Sequence, residues 1–278
     1  HQFLRTARVP PNAYEVFSIS PQVEQPSTRL TPSPAMASSE AARDAGRQGG
    51  GGAASCEEVA AGLVIAHPDD ESMFFVPTLR ALVAQPSAVQ QLVSSTALPQ
   101  EDLTQHGARC ALHILCLSSG NAEGLGSTRR AELKAAAASL GIAQQCVEVV
   151  DHPQLQDGMD QSWQSDVIAA LVTDFVKRHR IQTLLTFDSW GVSGHPNHRA
   201  ISRALSTMVD NGSLAVPLWH LNSAWLHVKF LGLLGVVIIW MHFLITHHLS
   251  TAGSRIYFIC PSMLPSVRAM RAHRSQFV

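Results

Sequence analysis

Short apolar runs alternate with amphipathic or alanine-rich stretches along most of this chain, and that alternation restricts the fold more than any other feature. Val59–Ala66, Ala111–Leu117, Cys146–Val150 and Thr183–Phe187 are brief and almost continuously apolar. Strands buried on both faces have this texture, because neither face needs to meet water. Helical patterns lie between and after them. Ser127–Leu140 is alanine-rich, opened by Ser127-Thr128 and closed by Gly141. Trp163–His179 places Val167, Leu171, Phe175 and Val176 on one face, and His198–Val209 is a further helix. Strand and helix in turn predict an α/β fold: a mostly parallel sheet with helices on both faces, in three layers.

The flanks read differently. Residues 1–58 carry Pro10, Pro11, Pro21, Pro26, Pro32 and Pro34, then the run Gly49–Gly52, without hydrophobic periodicity. They are expected to form a disordered, low-complexity N-terminal lead. Residues 84–109 are polar, contain Pro86 and Pro99, and occupy a place where a short helix-to-strand link is expected, so they read as an atypical insertion. From Phe230 to Thr246 the chain is apolar between Lys229 and His247-His248. That run is near the lower limit of the roughly 17–25 residues that cross a bilayer, and it reads as a membrane anchor or as a buried helix. The expected organisation is a lead over 1–58, a catalytic domain over 59–227 and an apolar tail over 228–278.

Composition removes several classes. Of 278 residues, 46% are apolar and 15% charged, which excludes disorder along the whole length. Twenty basic against 21 acidic side chains leave a net charge of −1, without the basic excess of an electrostatic nucleic-acid binder. The five cysteines are widely spaced with no CxxC pair, which argues against a disulfide framework or a cysteine zinc finger. Fourteen histidines direct attention to metal chemistry.

His67-Pro68-Asp69-Asp70-Glu71 follows the first predicted strand directly. In open parallel sheets, ligands bind beyond the carboxyl ends of strands. A His and an Asp three residues apart, His67 and Asp70, can converge on one cation if the turn folds back, and Pro68 stiffens that turn. Of two adjacent carboxylates, one can ligate while the other stays free as a general base. The plain alternative is an acidic turn capping the next helix. Gly194-His195-Pro196-Asn197-His198 follows the fourth strand. His198 can supply a third ligand, and two His with one Asp leave a fourth position open in the manner of catalytic zinc. His195 is then a spare imidazole beside the metal, able to stabilise an oxyanion or protonate a leaving amine. Read apart, both are ordinary packed or surface histidines. After the second strand, Ser118–Gly126 is glycine-bearing and leads to Arg129 and Glu132. This is a weak phosphate loop, matching neither GxGxxG nor the Walker pattern. Arg129 suits a phosphate or sugar hydroxyl, or an i, i+3 pair with Glu132 on a solvated face.

Together these motifs resemble a known family. Ala66–Phe75 with Pro77 and Leu79 looks like the opening signature of the PIG-L / LmbE-like zinc-dependent de-N-acetylases. Gly120-Asn121, Gly124-Leu125-Gly126, Arg129 and Glu132-Leu133 resemble its second block, and Thr186–His198 its third. The wording is nearest the eukaryotic branch, which acts on N-acetylglucosaminyl-phosphatidylinositol early in GPI-anchor synthesis. The resemblance covers about residues 59–225 and implies a Rossmann-like fold. It implies metal ligands at His67, Asp70 and His198, a general base at Asp69 and an intermediate-stabilising His195. It also implies substrate contacts at Arg129 and Asn121, with Asp188 and Asn197 in support. Zn2+ is the implied cofactor, although His and carboxylate donors suit Fe or Mn as well. The implied setting is the cytoplasmic face of the endoplasmic reticulum membrane, with a glycolipid substrate and no nucleic acid. The alternatives are a soluble LmbE-like deacetylase of another N-acetylglucosamine conjugate, and a non-catalytic membrane-associated homologue.

Overall fold

The structure is a computed structural model that describes residues 15–21, 59–85, 110–223, 256–260 and 262–276, together with 88, 89, 92, 93 and 241. In chain order the elements are β1 (Glu15–Pro21), β2 (Val59–Ile65), α1 (Asp70–Phe74), α2 (Val76–Ala84) and β3 (Cys110–Cys116). There follow α3 (Gly126–Ser139), a 3-10 turn (Gln144–Cys146), β4 (Val147–Val149), α4 (Ser165–Arg178) and β5 (Thr183–Phe187). The last are α5 (Gly191–Gly194), α6 (Pro196–Asp210), β6 (Leu218–Leu221), β7 (Ile256–Cys260) and α7 (Leu264–Met270).

One sheet runs in the order β4-β3-β2-β5-β6-β1-β7. Its first five strands are parallel, with Leu63 of β2 paired to Ile114 of β3 and to Leu185 of β5. Every residue of β2 and β5 is buried, which is why neither strand alternates in sequence. The predicted strands and helices agree with these elements to within about two residues at most ends, the usual uncertainty of element boundaries. Helix α4 packs on α6, and α7 packs on α3 and α1. With right-handed crossovers, α1, α2, α3 and α7 cover one face of the sheet and α4 and α6 the other. At Gly62 a Cβ would meet the Leu184 side chain at 2.7 Å and Phe175 of α4 at 2.9 Å, so the central strand is glycine where the helix approaches closest.

The order reverses at β2 and β5. From β2 the chain moves outward through β3 and β4, then returns to the other side of β2 for β5 and β6. Such a switch point opens a crevice beyond the carboxyl ends of the two strands. The two histidine motifs leave the sheet there.

Three flanking regions depart from their local texture. Glu15–Pro21, inside the proline-rich lead, is a strand antiparallel to both β6 and β7. Its pairing partners lie at the far end of the chain, so no local period announces it. The polar stretch from 84 begins with Ala88, Val89 and Leu92 packed into the core, and the Leu92 carbonyl accepts from Trp219 Nε1 at 3.2 Å. The remainder of that stretch up to residue 109 lies outside the described residues. The apolar run 230–246 also lies outside them, apart from residue 241. Among the described residues, no helix is long and apolar enough to cross a membrane.

Candidate active site and metal centre

The β2–α1 turn turns a carboxylate back on its own strand. Asp70 is buried, and its Oδ2 accepts from the backbone N–H groups of Ala66 (3.0 Å) and His67 (2.8 Å). This caps the strand end and leaves Oδ1 free to point across the crevice. Asp69 adopts φ 126°, ψ −24°, a conformation L side chains rarely take. Strained backbone of this kind is held by its surroundings, and here its own N–H donates to Glu71 Oε2 at 3.1 Å.

The β5–α6 loop supplies the other wall. Asp188 shapes it: Oδ1 accepts from Trp190 N, Gly191 N and Ser223 Oγ, and Oδ2 from Ser223 N at 2.6 Å. That fixes the Gly191 carbonyl, which lies 3.0 Å from His198 Nδ1. With the ring proton held on Nδ1, His198 Nε2 becomes the electron-pair donor. Phe187 stacks on the same ring at 4.2 Å and locks its plane. Nε2 then faces Asp70 Oδ1 at 3.2 Å, a buried contact that is an ion pair when the ring is protonated. His195 caps the start of α6, its Nδ1 accepting from Asn197 N at 3.3 Å. Ligand atoms of His67, His195 and His198 all lie within 4.8 Å of one another.

Arg129, on α3, ties the second block to the first. Nη2 donates to the Pro68 carbonyl (2.9 Å) and reaches Asp69 Oδ2 (3.3 Å), while Nη1 donates to the Gly120 carbonyl (3.0 Å). Gly120 has φ +65°, and a Cβ there would sit 2.6 Å from the guanidinium carbon. The alternative of a solvated Arg129–Glu132 pair does not hold. Arg129 is buried, and Glu132 accepts from Ser275 instead.

The charges follow from this packing. Burial and the neighbouring Asp70 carboxylate push the Asp69 carboxyl up to about 7, against the pull of Arg129. Asp70 shifts the other way, to about 2, because His198 and His67 outweigh its burial. His198 is held above the ordinary imidazole value: burial opposes this, but the facing Asp70 carboxylate prevails. The space between Asp70 and His198 therefore favours positive charge. Burial, then the nearby His67 and His198 rings, lower His195 to about 4, so it is neutral at pH 7.

His67, Asp69, Asp70, Arg129, His195, Asn197 and His198 thus meet in one crevice. Asn197 touches two of the imidazoles: its backbone N–H donates to His195 Nδ1, and its side-chain Nδ2 lies 3.0 Å from His67 Nε2. Asn121 caps the start of α3, its Oδ1 accepting from Gly126 N at 2.9 Å. Asp157 went unrecognised in the sequence. Its Oδ1 is 3.1 Å from His67 Nε2 and its Oδ2 3.4 Å from Arg129 Nη1. Hydrogen bonding to His67 holds its carboxyl below the usual range despite partial burial. Its only local signal is an acidic residue in a loop beyond a strand's carboxyl end.

The family model described as "PIG-L: GlcNAc-PI de-N-acetylase" matches residues 63–209, just over half of the chain. This chain belongs to the PIG-L family. The match spans both histidine motifs and Arg129, and ends within α6. Among family relatives, a Schizosaccharomyces pombe protein named "Probable N-acetylglucosaminyl-phosphatidylinositol de-N-acetylase" is 45% identical over 138 residues, covering 50% of this chain and 47% of that protein. The N-acetylglucosaminyl-phosphatidylinositol de-N-acetylase of Saccharomyces cerevisiae is 39% identical over 152 residues, 54% of this chain and 43% of that one. The enzyme of that name from Bos taurus is 34% identical over 152 residues, 55% and 51% respectively. The chain spans about half the length of the curated relatives it matches.

Proposed function

We propose that this PIG-L family member removes the acetyl group from N-acetylglucosaminyl-phosphatidylinositol, an early step of GPI-anchor synthesis, using residues 59–227 as its catalytic domain. The observation that carries the reading is the buried His198 Nε2 facing Asp70 Oδ1 at 3.2 Å, with His67, His195 and Asp69 around the same space. The names of the relatives supply the substrate.

The ligand set of the proposal is His67, Asp70 and His198. Their donors fit a divalent cation, since the buried imidazole nitrogen of His198 faces a carboxylate oxygen that no backbone group claims, a space a cation can take in place of the ring proton. Imidazole and carboxylate suit zinc, and also iron or manganese. When bound, such an ion supplies Lewis acidity and a water that ionises near neutral pH.

The remaining residues divide the work. Asp69 is the base that takes the proton of the attacking water, because Asp70 is committed to the strand end and to His198. Arg129 holds the Asp69 carboxylate in place and, with Asn121, borders the sugar. His195 carries its proton on Nε2, since Nδ1 accepts from Asn197 N, and so can donate to the carbonyl oxygen as charge develops there. Asn197 and Asp188 support the two imidazoles through the contacts described above. Water and the acetamide become acetate and the free amine, with the proton taken by Asp69 returned to the leaving nitrogen. A lipid substrate requires the domain to work at a membrane, and the setting in this reading is the cytoplasmic face of the endoplasmic reticulum, as the family resemblance implies.

The test is acetate release from N-acetylglucosaminyl-phosphatidylinositol by the membrane-expressed chain, with Asp69→Asn beside it. Release by the wild type and loss in Asp69→Asn is the expected result. A metal-loaded wild type that releases nothing from this lipid, yet deacetylates another N-acetylglucosamine conjugate, overturns the substrate assignment.

A further inference from the structure

The family match ends at residue 209, but the chain returns to the active site much later. Helix α7 packs on α1 and α3, and the segment after it, His273–Ser275, is pinned at two points. His273 is fully buried and its Nε2 lies 2.7 Å from Glu71 Oε1, itself fully buried. Two residues on, Ser275 donates to Glu132 from its backbone N–H (2.9 Å) and its hydroxyl (2.6 Å). Glu132 lies on α3 one turn from Arg129.

Glu71 does not face the crevice. It accepts from the Ser72 hydroxyl on Oε1 and from Asp69 N on Oε2. Asp69 is therefore gripped at both ends. Arg129 holds its carboxylate, and Glu71 holds its backbone in the left-handed φ of 126° that no glycine is there to ease. A fully buried carboxylate stays in place only while paired. Its one imidazole partner comes from the far end of the chain.

We propose that His273 is a positioning residue for Asp69, acting through Glu71: it holds the Glu71 carboxylate so that Oε2 keeps the Asp69 backbone in its strained conformation, aiming the Asp69 side chain into the crevice. The inference rests on the catalytic role proposed for Asp69, and it adds a part of the chain outside the family match to the site. Without His273, Glu71 loses its imidazole partner, turns, and releases the Asp69 N–H. The Asp69 backbone then relaxes and its carboxylate leaves its aim. A displacement of about 1 Å at a reacting group costs on the order of 10²-fold in rate.

The experiment uses the full chain and compares wild type, His273→Ala, His273→Gln and Ser275→Ala. Three quantities are read: hydrogen exchange at the Asp69 amide, bound metal, and kcat and KM for acetate release. In His273→Ala, protection of the Asp69 amide falls while amides of α6 keep theirs, metal content holds, and kcat drops on the order of 10²-fold with KM little changed. His273→Gln, which keeps a donor for Glu71, recovers most of both losses. Ser275→Ala removes only the hydroxyl bond to Glu132, keeps the backbone bond and the His273–Glu71 pair, and leaves kcat near wild type. Should His273→Ala fail to fold, an unprotected Asp69 amide or a wild-type kcat in His273→Gln decides the matter: the first overturns the donor argument and the second supports it. Unchanged Asp69 protection and unchanged kcat in a folded His273→Ala overturn the proposal. A wild type inactive on the lipid, with Asp69 deprotected in His273→Ala, counts against the substrate reading and leaves the positioning intact.

Discussion

His198 Nε2 and Asp70 Oδ1 face each other at 3.2 Å across the crevice between β2 and β5. Each is aimed by its own loop: His198 through the Gly191 carbonyl, Asp70 through the backbone N–H groups of Ala66 and His67. Replacing His198 with Ala is expected to abolish both metal content and deacetylation. Zinc measured by atomic emission on the purified chain checks this. Full zinc occupancy in His198→Ala would remove His198 from the ligand set.

Asp69 separates from that pair in its effect. Asp69→Asn keeps the size of the side chain and the Asp70 contacts, so metal is retained while turnover falls by 10²-fold or more, the scale of a lost general base. Parallel metal and rate measurements on the one preparation test it. Loss of metal together with rate would make Asp69 a ligand instead.

Arg129 is bound by four acceptors in a planar fork: the Pro68 and Gly120 carbonyls and the Asp69 and Asp157 carboxylates. Lysine carries the charge but not the fork. Arg129→Lys should therefore lose roughly 10–10²-fold in kcat/KM, about 1.4–2.7 kcal/mol of transition-state stabilisation. Gly120→Ala should resemble it, because the new Cβ displaces the guanidinium and the backbone sits at φ +65°. Steady-state kinetics on the two variants decide. A Gly120→Ala enzyme with wild-type kinetics would show that the guanidinium position is unimportant.

His220, on β6, links the fold to pH. Burial lowers its pKa from 6.5 to about 4, with Asp188 opposing, and its Nε2 has no partner. The unfolded chain takes up a proton on this side chain near pH 6.5, before the folded one does, so the His220 contribution to stability is full above that pH and is lost as pH drops toward about 4. His195 shifts in the same direction and adds to the slope. Thermal melts of wild type and His220→Leu between pH 7 and 4 provide the check. The difference in melting temperature between His220→Leu and wild type should move in the variant's favour as pH drops from 7 to 4, and a difference independent of pH would discount His220.

The layered α/β architecture and the two loops that carry chemistry are written in local residue patterns. Those signals are local: continuous apolar runs for β2 and β5, helix periods between them, and His67–Asp70 and His195–His198 each written within a few residues after a strand. Strand order, and with it the meeting of those loops at one switch point, came from tertiary packing. So did the strand at Glu15–Pro21, whose partners β6 and β7 are remote in the chain. Asp157 and His273 join the site for the same reason. Each touches it through one side chain from a distant segment, and a single long-range contact leaves no period or motif in the residues around it. Asp69's strained backbone is likewise invisible in the letters, because it depends on Glu71 and Arg129 gripping it from two sides.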